Sequence, residues 1–169
     1  MTPELTRIVR AHEIGVLERA EHVVANPAEL VALVARFDLL SLDSLEARFV
    51  LRGEAGGIRV RGRVRARGAQ ACGLSGEPVP FDLNEPVDLR FTETQAVAGE
   101  DVELSDADLD TLPLDGDSLD LGEAAAQSLG LALDPYPRAA GAAAAVPVTA
   151  EENVVPLKRP NPFAVLKKD

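Results

Sequence analysis

The sequence predicts an α+β fold: an antiparallel β-sheet packed against two or three helices, with a flexible acidic loop and a C-terminal tail. Three observations carry this. The run Ile58–Gly68 alternates arginine with small or apolar residues without a break. Two further segments, Leu45–Arg52 and Phe81–Phe91, alternate in the same way. Two others, opening at Asn26-Pro27 and at Asp120, place apolar residues at helical spacing.

The arginine run is the strongest signal. Arg59, Arg61, Arg63, Arg65 and Arg67 take every second position, with Ile58, Val60, Gly62, Val64, Ala66 and Gly68 between them. A period of two belongs to a strand, whose successive side chains point to opposite faces. The eight steps from Arg59 to Arg67 make a ladder roughly 26 Å long at about 3.3 Å per residue. Like charges stacked on one face repel unless an anion answers them. Phosphate is one answer, because the guanidinium fork matches it bidentately. The chain's own carboxylates are the other, and spacing alone favours them, since charge runs are usually solvated or locally paired.

Leu45, Ala47, Phe49 and Leu51 share one face of the preceding strand, and Glu46, Arg48, Val50 and Arg52 the other. The glycine-rich turn Gly53–Gly57 predicts a hairpin between the strands at 45–53 and 58–69. Arg48 and Arg52 then extend the basic face if the register allows. After a turn containing Cys72, the strand at 81–91 puts Phe81, Leu83, Val87, Leu89 and Phe91 on one face. Pro86 marks an edge or a bulge. If this strand pairs antiparallel with the ladder, Asp82 and Asp88 lie where the arginines need answering.

Asn26 reads as an N-cap with Pro27 at the first helical position, so a helix is expected over 27–37. Asp120 with Glu123 three residues on reads as a capping-box variant opening a helix over 120–132. It must stop before Asp134-Pro135-Tyr136-Pro137. Residues 5–17 read as a short strand or irregular start, and residues 93–118 as an acidic loop with a short strand or turn near Val102 and Leu112. The expected organisation is one α+β domain over 1–137, a flexible Ala/Pro-rich linker over 138–160, and a tail segment over 161–169.

Charge is strongly partitioned beneath a net −11. Residues 1–70 hold 11 Lys/Arg and 9 Asp/Glu, a net of +2; residues 77–134 hold 16 Asp/Glu and only Arg90, a net of −15. Residues 135–169 hold 5 Lys/Arg and 3 Asp/Glu, again +2. Global acidity works against non-specific nucleic-acid binding, so any such binding must be local to the basic face. One cysteine excludes a disulfide framework. No apolar run approaches the roughly 20 residues of a membrane span, and the start lacks a secretory pattern. A soluble cytoplasmic protein is expected.

No nucleophile–base pair, phosphate-cradling glycine loop or clustered metal ligands stand in the sequence, which argues against an enzyme. Asp106, Asp108 and Asp110 imitate the first ligands of an EF-hand loop, but Thr111 stands where glycine is required. An acidic, partner-binding segment is the alternative use of Asp106, Asp108 and Asp110. The compact apolar piece Phe163–Leu166, followed by Lys167 and Lys168, is a second partner-binding candidate, centred on Phe163 and Leu166.

The order of features resembles a known family. An arginine-rich strand leads into a cysteine turn ending in Glu77-Pro78-Val79, and an alternating strand ends in Arg90-Phe91. Leu119-Asp-Leu-Gly-Glu123, Leu131-Ala-Leu-Asp-Pro-Tyr-Pro137 and Asn161-Pro-Phe-Ala-Val-Leu166 follow. This resembles the YceD family, the large ribosomal RNA subunit accumulation proteins, over residues 45–169. The resemblance implies a bacterial, cytoplasmic, non-catalytic factor supporting synthesis or accumulation of large-subunit ribosomal RNA. Its partners would be ribosomal RNA, bound through Arg59 to Arg67, or a basic large-subunit ribosomal protein held by the acidic half. From the residues, no cofactor, membrane or small-molecule substrate is expected. Many members carry Cys-x-Arg-Cys in the turn; here Leu74 and Ser75 stand where the arginine and second cysteine would be. One thiolate without neighbours cannot hold a structural zinc.

Overall fold

The computed structural model describes residues 4–92 and 111–141. It is mostly sheet with two helices, an α+β arrangement. The strands are β1 (Ile8–Arg10), β2 (Arg19–Val24), β3 (Ser41–Glu54), β4 (Gly57–Ala71), β5 (Pro78–Thr92), β6 (Thr111–Pro113) and β7 (Ser118–Asp120); the helices are α1 (Pro27–Phe37) and α2 (Leu121–Ala132). The main sheet runs β2-β3-β4-β5-β6, and β1 pairs with β7 in a two-stranded sheet. Neighbours are antiparallel except β5 and β6, which are parallel.

The three long strands coincide with the three alternating segments and extend beyond them. β3 starts at Ser41, four residues before Leu45, because the register shifts between Leu42 and Ser44. A bulge of this kind breaks the alternation and hides the strand start. Pro86 sits on the stretch of β5 that β6 leaves unpaired, since β6 covers only Arg90–Thr92. The missing N–H therefore removes no ladder bond on that side. β2 has only Val23 buried, a pattern without readable alternation.

Both helix starts are capped. The Asn26 side chain accepts from Ala28 N and Glu29 N, and Glu29 reaches back to Asn26 N, a complete capping box. Asp120 accepts from Gly122 N and Glu123 N. The reciprocal half expected there is absent: Glu123 instead receives both terminal nitrogens of Arg36, at 2.8 and 2.7 Å. That pair joins α1 to α2, and Glu4 adds a third member to it at 2.9 Å. The helices also approach closely where a Cβ on Gly130 would lie 2.7 Å from the Phe37 ring.

The core lies on one face of the main sheet. Leu45, Ala47, Phe49 and Leu51 of β3 and Ile58, Val60, Val64 and Ala66 of β4 point into it, joined by Leu33 from α1 and by Leu121, Ala125 and Leu129 from α2. The same alternation that buries these residues sends every ladder arginine to the opposite face.

Candidate nucleic-acid interface

The register fixes what stands beside each arginine. Across β3, Arg59 faces Arg52, Arg61 faces Val50, Arg63 faces Arg48, Arg65 faces Glu46 and Arg67 faces Ser44. Across β5, Arg59 faces Arg90, Arg61 faces Asp88, Arg63 faces Pro86, Arg65 faces Asn84 and Arg67 faces Asp82. Within the paired strands this face therefore gathers the five ladder arginines with Arg48, Arg52 and Arg90, against the carboxylates of Glu46, Glu54, Asp82 and Asp88. Arg48 and Arg52 thus belong to the basic face. Arg90 completes a cross-strand row of three arginines; its place in the alternation of β5 was the signal for it.

Asp88 and Asp82 do answer part of the ladder. Arg59 donates through Nε and Nη2 to the two oxygens of Asp88, each at 2.9 Å, and Arg61 Nε reaches Asp88 at 3.3 Å. The Arg59 hydrogen bonds, with the nearby Arg61 charge, hold the Asp88 carboxyl below its usual range. Arg67 Nε donates to Asp82 at 3.0 Å. Both partners of every pair stay open to solvent; Arg67 and Asp82 are 69% and 65% exposed. Exposed pairs contribute about 0–1 kcal/mol each, so a polyanion can displace them.

The middle of the ladder is different. Among the described residues, Arg63 donates to Asn84, at 3.2 Å on the side-chain oxygen, and Arg90 to the Ala55 carbonyl, at 3.0 Å. Among the described residues no carboxylate lies within ion-pair distance of Arg48, Arg52, Arg63 or Arg65. Glu46, opposite Arg65, lies 3.6 Å from His22 Nε2. Arg48, Arg63 and Arg65 line a shallow cavity of about 350 Å³ with Glu46 and Gly62. Gly62 lets the strands close here: a Cβ on it would lie 2.0 Å from the Arg48 carbonyl oxygen.

His12 pairs with Asp117 on the surface, which keeps that carboxyl below its usual range. Cys72 is buried in its turn. Its Sγ accepts from Ala139 N at 3.3 Å, and this bond, with donors from Ser75 and Leu74, pushes the thiol down to about 6. Among the described residues no group of three His, Cys, Asp or Glu side chains is placed to hold a metal ion. Among the described residues no helix is long and apolar enough to cross a membrane. Asp106, Asp108, Asp110, Phe163 and Leu166 lie outside the described residues, as do Val102 and most of the expected linker.

Comparison with protein families decides the lineage. The model of the large ribosomal RNA subunit accumulation protein YceD matches residues 60–168, more than half of the chain. The chain belongs to the YceD family. The match takes in the ladder from Arg61 onward, the Cys72 turn, β5 and α2, and starts after Arg48, Arg52 and Arg59. The family's name ties YceD proteins to accumulation of large-subunit ribosomal RNA and describes no catalytic activity. Comparison with curated proteins and with solved structures gives no match.

Proposed function

We propose that this YceD protein supports accumulation of large-subunit ribosomal RNA by binding RNA phosphates on the arginine face of its sheet, without catalysis. The observation that carries this reading is the state of Arg63 and Arg65. They stand on the exposed face, beside Arg48, with no carboxylate from the described residues within ion-pair distance, and Glu46, directly across from Arg65, lies by His22 instead. A purely structural ladder would pair its central arginines with carboxylates, where like charges crowd most. Here Asp82 and Asp88 answer the two ends. Phosphate contacts for Arg59, Arg61 and Arg67 follow by exchange of the weak exposed pairs.

A second reading keeps the ladder structural and gives recognition to the acidic half, with Asp106, Asp108 and Asp110 holding a basic ribosomal protein. The pairing of Arg59, Arg61 and Arg67 with aspartate favours it. Tagged full-length protein recovered from lysate at low and high salt separates the two. RNA retained at low salt, released by high salt and lost in the Arg63→Gln/Arg65→Gln variant supports the first reading. A basic protein retained without RNA overturns it in favour of the second.

A further inference from the structure

We infer that the RNA taken by this face is double-stranded and is held by its phosphate backbone without reading base sequence. The inference rests on the RNA-binding reading above and names the class of RNA.

The first observation is chemical. Phe49, Phe81 and Phe91 of the long strands all fall at core-facing positions, so the outward face of β2 to β5 carries no phenylalanine, tyrosine or tryptophan; its single ring is the imidazole of His22, opposite Arg48 and 3.6 Å from Glu46. Proteins that bind single strands without sequence preference stack the free bases on aromatic side chains, at about 1–3 kcal/mol per base. One imidazole at the edge strand makes no row of rings on which successive bases could stack. Asn84, the one side-chain amide among the β5 residues facing the ladder, is occupied by Arg63. A duplex needs no platform, because its bases stack on one another and it presents phosphates and 2′-hydroxyls outward. A duplex also concentrates charge, with one phosphate per about 1.7 Å of axis in B-type DNA against about 3.4 Å for one strand.

The second observation is geometric. The positive charge is spread over neighbouring strands: Arg48 stands opposite Arg63, and Arg52 opposite Arg59. Rows on adjacent strands lie about 4.8 Å apart. The result is a broad patch with a shallow depression between Arg48, Arg63 and Arg65, unlike the narrow groove that tracks a single backbone. Phosphate contacts fix position and carry no sequence information, so two unrelated duplexes should bind alike.

The test uses the full chain, two unrelated RNA duplexes of about 16–20 base pairs, and a single strand of equal length without self-complementarity. Each is titrated at one fixed salt concentration, with the Arg48→Gln/Arg63→Gln variant as the baseline and a thermal melt confirming that the variant folds. The expected result is duplex binding at least about tenfold tighter than single-strand binding, equal for the two duplexes. Single-strand binding as tight as duplex binding, or a clear preference between the duplexes, overturns this inference and leaves RNA binding standing. No binding of any probe above the baseline overturns both.

Discussion

Arg48 and Arg63 stand directly opposite each other across β3 and β4, both on the outward face, and among the described residues neither has a carboxylate partner. Like charges directly across an antiparallel pair destabilise it.

Removing one of the two charges should therefore help the fold while harming binding. Arg63→Gln is expected to raise stability by about 0.5 kcal/mol, a rise of about 1–2 °C in Tm for a chain of this size. The same variant should bind RNA more weakly. A thermal melt checks the first half. A fall in Tm would mean that Arg63 holds the sheet together through Asn84.

Asp88 competes with any outside anion for Arg59 and Arg61. Asp88→Asn should free both and tighten RNA binding several-fold, with the salt slope steeper by about 1. Its cost in stability should stay within about 1 kcal/mol, because the pair is exposed. Weaker binding in this variant would show that Asp88 belongs to the interface.

Cys72 gives a pH signature. Its folded thiol ionises near 6, pushed down by N–H donors from Ala139, Ser75 and Leu74, against an ordinary value of 9.0. Between those values the folded state binds fewer protons than the unfolded state, so stability should rise with pH across that window. This contribution is complete above the ordinary value and lost as pH falls through about 6. Chemical denaturation at several pH values should show the slope, and Cys72→Ser should remove it. The thiolate absorbance of this single cysteine gives the midpoint directly.

Gly62 is required by space. A side chain there meets the Arg48 backbone, which cannot swing away as a flexible side chain would. Gly62→Val should destabilise the sheet by about 1–3 kcal/mol despite the better strand propensity of valine. Unchanged stability in denaturant would contradict this.

Much of this architecture is legible in the sequence where a local signal and the tertiary outcome agree. The alternation of 58–68 marks β4 because Ile58, Val60, Val64 and Ala66 on one of its faces are buried, and Asn26-Pro27 marks the start of α1 because the cap is local. β2 escapes such reading because it is an edge strand with one buried residue. The first residues of β3 escape it because the bulge shifts parity between Leu42 and Ser44. Glu123 looks like the returning half of a capping box, yet Arg36 of the other helix claims it. At the candidate site the arginines and the answering pair Asp82 and Asp88 are legible from period and order. Which arginines they answer is not, because that depends on register and side-chain reach: Asp88 turns to Arg59 and Arg61, and Arg65 is left beside Asn84.

The most direct test is the salt dependence of RNA affinity, measured for the wild type and for Arg63→Gln/Arg65→Gln. If these two arginines each neutralise a phosphate, the variant's slope of log affinity against log salt should be shallower by about 1–2 units, following counterion release. A slope unchanged from wild type would contradict the claim that the centre of the ladder contacts RNA.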